Sequence, residues 1–253
     1  MTALTILWYN VAMVFKSFSE KINTTLGRLS PARRIFLSFA LVILAGSLLL
    51  SLPFVQATSS QATYFDHLFT AVSMVCVTGL FTQPVATTYN IWGQLICMFL
   101  IQIGGLGLMT FIGVFYIQSK QKLSLRSRET ILESFSYGET QSLMVFIRSI
   151  FLTTFIVEGL GAFLLSFRFV PEFGWGRGIF TSIFVAISAF CNAGFDNFGS
   201  TSLVAFQTDP FINLVLAALI ITGGLGFMVW FDLATQLSRK NVGFASIPSW
   251  FSS

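Results

Sequence analysis

Charge is scarce in this chain. Of its 253 residues only 9% are Asp, Glu, Lys or Arg, where a soluble domain of this length carries roughly a quarter. Histidine is scarcer still, with His67 alone, which removes most templates for general acid–base or zinc chemistry. The three cysteines, Cys76, Cys97 and Cys191, sit in apolar runs without CxxC or histidine spacing. They read as small packing residues rather than as a metal or redox centre. A phosphate-binding loop is missing too. The glycines Gly104, Gly105 and Gly107, with Gly223, Gly224 and Gly226, lie inside apolar runs and not between a strand and a helix, so close helix packing or a local bend accounts for them.

What remains is apolar. Hydrophobic residues make up 55%, phenylalanine alone contributes 30 residues, and the mean hydropathy is +0.80. A helix needs about 20 apolar residues to cross a bilayer, and four runs qualify: 35–52, 91–117, 149–170 and 211–235. Two further apolar runs, 65–81 and 179–195, each stop at a glycine and are too short to cross, which suits loops that enter and leave on one side. Basic residues mark the sides. Lys16, Lys21, Arg28, Arg33 and Arg34 precede the first span, Lys120, Lys122, Arg126, Arg128 and Arg148 lie between the second and third, and Arg239 and Lys240 follow the fourth. Only Arg168 and Arg177 fall opposite, so both termini and the central loop are expected in the cytoplasm. The net charge of +4 is therefore a topology signal, and no nucleic-acid partner is expected. The first residues, "MTALTILWYNVAMVF", lack a basic start and a cleavage site and fit a helix lying on the inner membrane surface.

The chain repeats itself. A shift of 115 residues lays "RRIFLSFALVILAGSLLLSL" on "RSIFLTTFIVEGLGAFLLSF" with nine identities in twenty, and pairs Phe69 with Phe184, Ser73 with Ser188, Cys76 with Cys191 and Gly79 with Gly194. Beyond the short runs the shift becomes 119, and "LIQIGGLGLM" meets "LIITGGLGFM" with seven identities in ten. Identities at Arg, Gly, Ser and Cys under one shift do not come from shared hydrophobicity. The expected fold is an all-α membrane protein of two parallel helix–re-entrant loop–helix repeats, at 34–117 and 148–237. They are flanked by an interfacial segment (1–33), a cytoplasmic loop (118–147) and a C-terminal tail (238–253).

Irregular backbone at membrane depth requires protein or water around it. A short helix that descends and then returns as extended backbone through a glycine implies an aqueous lumen, where successive carbonyl oxygens can replace the hydration shell of a cation. The C-terminal end of the short helix adds about half a negative charge. Asp66, Asp196 and Asp209 are expected on the same outer side.

The motifs "AVSMVCVTGL" and "AISAFCNAGFD" and the two "GGLG" runs resemble the Ktr/Trk/HKT superfamily of potassium transporters, most closely the membrane subunit of bacterial Ktr systems, and only its N-terminal half. The resemblance covers residues 33–237. It implies four such units around one pore with a single glycine per filter segment. Carried over to this chain, the filter backbone is Val77, Thr78, Gly79 and Leu80, with Asn192, Ala193, Gly194 and Phe195. It further implies K+ as the transported ion, a homodimer, and a cytoplasmic nucleotide-binding regulatory ring; coupling to Na+ or H+ is compatible with it. Two segments do not surround an ion, so the chain is expected to be part of a longer protein, or else to pair with a second chain.

Other residues read more plainly. Glu158, in mid-span, is a functional or inter-helix polar partner, or a structural carboxyl. Gln94 and Gln102 read as helix–helix hydrogen bonders. The side chains of Thr78 and Asn192 pack behind the filter, and Asp66 and His67 cap the first short helix. "SLRSRETILESF" in the central loop is a solvated helix face and a candidate docking surface for the cytoplasmic partner. An intramembrane enzyme is disfavoured, because Ser73 and Ser188 have no histidine to activate them. The competing reading is a non-conducting assembly module that needs further repeats to conduct.

Overall fold

The computed structural model describes residues 31–107, 143–226 and 229–230. The interfacial segment, the central loop and the C-terminal tail therefore lie outside the described residues, apart from the helix starts at 31 and 143. Among the described residues the fold is helical, without strands: α1 (Pro31–Leu50), α2 (Tyr64–Val75), α3 (Val85–Thr88), α4 (Ile91–Leu106), α5 (Leu143–Phe173), α6 (Trp175–Phe190) and α7 (Pro210–Gly224). Two 3-10 turns, Pro53–Val55 and Ser202–Phe206, lie in the connections from α1 to α2 and from α6 to α7.

Local chemistry sets the boundaries. The Thr63 amide donates to Asp66 Oδ2 at 2.8 Å, and the reciprocal bond closes a capping box at the start of α2. Asn90 Oδ1 accepts the amides of Trp92 and Gly93 to start α4. Asp209 does the same for Phe211 and Ile212 at α7, with Pro210 in the first turn. Gly174, at φ 80°, turns the chain between α5 and α6, in a backbone region where a side chain is disfavoured.

Helix α2 packs between α1 and α4, α6 packs between α5 and α7, and α4 against α6 joins the two halves. The core at these junctions contains Met74, Ile101, Leu165, Phe169, Phe184 and Ile212, all fully or almost fully buried. Outside, the pattern is the reverse of a water-soluble protein. Phe36, Leu44, Phe155, Phe163 and Trp175 are exposed, Trp175 by 78%, which suits a hydrocarbon surround. One helix among the described residues, at Ser149–Phe173, is long and apolar enough to cross a membrane.

The runs expected at 91–117 and 211–235 are interrupted. Helix α4 ends at Leu106 and α7 at Gly224, and the glycines just beyond, Gly107 and Gly226, have φ of 78° and 79°. A left-handed residue cannot continue a right-handed helix, so each "GGLG" run is a stop. In the connection from α6 to α7, Phe198 and Phe206 close on Phe169 and Phe173, with centroids 5.2–6.2 Å apart.

Candidate functional site

Helices α2 and α6 end alike. Cys76 and Cys191 cap them, and the next residues, Val77 and Asn192, take φ of 55° and 56°. Left-handed backbone at a β-branched valine is strained, and it recurs at the residue 115 positions later. Two residues on, Gly79 and Gly194 have φ of 75° and 70°.

The amides of both segments turn back onto their own helix. Val77 donates to the Met74 carbonyl and Thr78 to that of Ser73, while Asn192 donates to Ala189 and Ala193 to Ser188. The Leu80 amide donates to Ser73 Oγ at 2.9 Å and the Phe195 amide to Ser188 Oγ at 2.8 Å. The carbonyls do the opposite. Among the described residues, none of the carbonyl oxygens of 77–80 or 192–195 accepts a hydrogen bond. Among the described residues, three of the four amides of each segment therefore bond inward and none of its carbonyls accepts. In the sequence Ser73 and Ser188 stand out as a matched pair and as nucleophiles without a base; their role as braces required the fold.

The segments meet at their glycines. A Cβ on Gly79 would lie 2.8 Å from the Ala193 carbonyl oxygen, and one on Gly194 would lie 3.5 Å from Gly79 Cα. Glycines in α4 and α7 then let the ends of the short helices approach. A Cβ on Gly104 would come within 2.6 Å of the Val75 carbonyl oxygen, and one on Gly223 would overlap the carbonyl oxygen of Phe190.

Around this centre the polar residues fall into place unevenly. Thr78 Oγ1 lies 2.8 Å from Ser73 Oγ, on its own short helix. The Asn192 amide reaches the carbonyls of Phe190 and Ile220, each at 3.4 Å. Gln102 is a helix–helix hydrogen bonder, donating to Glu158 Oε2, whereas Gln94 bonds Asn197 in a loop. Glu158 is buried at the junction of α4, α5 and α6, beside Cys191. Cys97 and Cys191 are buried packing residues, but Cys76 is exposed.

Asp66, Asp196 and Asp209 are occupied locally. Asp66 accepts from Thr82, Thr63 and the Thr63 backbone, and these bonds hold its carboxyl at about 2, below the ordinary 3.8. Asp196 accepts from the Phe198 amide and the Ser202 hydroxyl. Asp209 caps α7 and pairs with Arg168 at 3.2 Å. Asp66 closes the capping box of α2 as the partner of the N-cap Thr63, whereas His67 does not cap: its Nδ1 lies 2.9 Å from the Tyr89 hydroxyl, and burial pushes its imidazole down. A cavity of about 200 Å³ opens beside the second segment, between Asn192, Gly194, Phe195, Ser202 and Ile220.

The sequence matches the family described as TrkH, cation transport protein, over residues 12–247. It is 44% identical over 215 residues to the potassium/sodium uptake protein NtpJ of Enterococcus hirae, covering 85% of this chain and 48% of that protein. It is 39% identical over 206 residues to the Ktr system potassium uptake protein B of Bacillus subtilis, covering 81% and 46%. The protein of that name in Vibrio alginolyticus is also 39% identical, over 201 residues, covering 79% and 44%. The chain spans about half the length of the curated relatives it matches.

Proposed function

The chain belongs to the TrkH family of cation transport proteins, a family of membrane transporters and not of enzymes, and on that premise we propose that it forms half of a K+-conducting pore. In this reading 34–117 and 148–237 are parallel helix–pore loop–helix repeats, and residues 77–80 and 192–195 face the ion as filter backbone. K+ enters down the membrane potential, worth about 2.3 kcal/mol per charge per 100 mV, without covalent chemistry. Na+ is a candidate co-substrate, since one relative carries both ions in its name.

One observation carries the reading. Among the described residues the carbonyls of both segments accept no hydrogen bond, while three of the four amides of each tie it to its short helix, one of them through the brace Ser73 or Ser188. Unbonded carbonyls on a braced strand are what a dehydrated cation needs, because they substitute for water without first breaking internal bonds.

Two segments make half a ring, and the packing supports a continuation. In α4, Ile101 is fully buried and a Cβ on Gly105 would overlap Cys191 of the next repeat. Of their counterparts in α7, Ile220 is 46% exposed, and a Cβ on Gly224 would meet only Asn192 Nδ2, at 3.7 Å. A further repeat fits against α7 as the second fits against α4. The full transporter then has four repeats, from a longer chain or from pairing. Two relatives are named as parts of a Ktr system, so we infer further partners, among them a cytoplasmic nucleotide-binding ring and a second membrane subunit. The termini and the 118–147 loop would face the cytoplasm.

The test is uptake by potassium-uptake-deficient cells expressing the full-length protein that contains this chain. Wild type restores growth at low K+, and Gly79→Ser or Gly194→Ser lowers discrimination between K+ and Na+. Unchanged discrimination in both variants, at equal membrane content, sinks the filter assignment.

A further inference from the structure

Residue 197 corresponds to residue 82 under the 115-residue shift, and the two are held differently. Thr82 Oγ1 donates to Asp66 Oδ1 at 2.7 Å, so the outer end of the first segment is tied to its own short helix. Asn197 Nδ2 instead donates to Gln94 Oε1 at 3.1 Å, across the boundary between the repeats. Gln94 is oriented for this by its other end, whose Nε2 donates to the Tyr89 carbonyl at 3.0 Å.

The inner end of the second segment is tied across the same boundary. Cys191, the residue before Asn192, donates its thiol to Gln102 Oε1 at 3.5 Å, and Gln102 Nε2 donates to Glu158 Oε2. Glu158 and Cys191 are 5% and 7% exposed, so these bonds form away from competing water. In the first repeat Ile43 stands at the position of Glu158.

We propose that α4 is a bracket for the second segment: Gln94 and Gln102, the latter locked by Glu158, are positioning residues that hold both ends of 192–195 and set its place opposite 77–80. The proposal rests on the reading of those segments as ion-facing. It makes the two segments unequal. Within this chain both segments are tied to their own short helices, and the second is in addition registered to the neighbouring repeat, so a shift of α4 alters the gap between Gly79 and Gly194. Glu158 acts through Gln102 and Cys191.

The experiment measures KM and maximal rate for Rb+ (as a K+ tracer) and Na+ uptake by the full-length protein in potassium-uptake-deficient cells. Glu158→Leu and Gln94→Leu shift the KM ratio towards Na+ by about fivefold, the scale of one lost buried hydrogen bond, and Glu158→Gln, which keeps an acceptor for Gln102, retains it. Gln94 is only half-buried, so Gln94→Leu answers the question should Glu158→Leu fail to reach the membrane. A purely structural role lowers both maximal rates and leaves the KM ratio alone, and that result overturns the bracket. If Gly194→Ser still loses discrimination in the same cells, the ion-facing reading stands without it; if Gly194→Ser is also unchanged, both fall.

Discussion

Gly79 and Gly194, 115 residues apart in sequence, meet backbone to backbone, and the contact is unequal. A side chain begun on Gly79 runs into the Ala193 carbonyl oxygen at 2.8 Å, whereas one begun on Gly194 finds only Gly79 Cα at 3.5 Å. Both glycines have left-handed φ, so any side chain costs about 1–2 kcal/mol in backbone strain. Only at Gly79 must backbone also move.

Gly79→Ala is therefore expected to lower the thermal unfolding temperature of the purified protein more than Gly194→Ala does. Equal or reversed shifts would show that the segments do not meet in this register.

The glycines of the helices divide in the same way. Gly223→Ala and Gly104→Ala each drive a methyl group into a carbonyl at the end of a short helix, and both variants should lose folded protein. Gly159, in α5, has nothing within 4 Å of its Cβ position, and Gly159→Ala should be neutral or more stable by up to about 1 kcal/mol. Melting curves of the three variants in one detergent decide this.

The serine braces are not equivalent. Ser188→Ala strands the Phe195 amide, whose residue is 3% exposed, at a cost of about 1–3 kcal/mol. Ser73→Ala should cost less, because the Thr78 hydroxyl lies 2.8 Å from the lost oxygen and can replace it; the matching position, Ala193, carries no hydroxyl. Denaturant unfolding of both variants measures the difference, and Ser73→Ala/Thr78→Ala should restore parity with Ser188→Ala.

Acid acts on Asp66. Its folded pKa of about 2 lies below the ordinary 3.8, so the stability it contributes is full above 3.8 and disappears as pH falls to about 2. Asp66→Asn should flatten that part of the stability–pH curve while leaving the curve above pH 5 parallel to wild type. An unchanged acid limb, followed by unfolding against pH, would exclude the capping box as its origin.

Some of this was legible from residues alone. The offset of 115 announced that Val77 would behave as Asn192 does and Gly79 as Gly194 does, because identical spacing around an αL-permissive glycine dictates identical backbone. The shortage of charge and the apolar runs placed the chain among membrane proteins. The termination of α4 and α7 at "GGLG" was legible only in part. Glycine content suggested packing or a bend, and only the fold separates Gly104, which admits a neighbouring carbonyl, from Gly107, which turns the chain.

The sequence by itself determined the duplicated order of elements, the caps at Thr63, Asn90 and Asp209, and the residues that surround the glycines, since these depend on spacing and on groups within a few residues of each other. The tertiary structure alone decided what crosses between the repeats. Gln94 meeting Asn197, Gln102 meeting Glu158, and Gly79 meeting Gly194 join positions 103, 56 and 115 residues apart, and no periodicity carries such pairs. They follow from how α4 packs against α6, a choice made by the buried surfaces of both helices together.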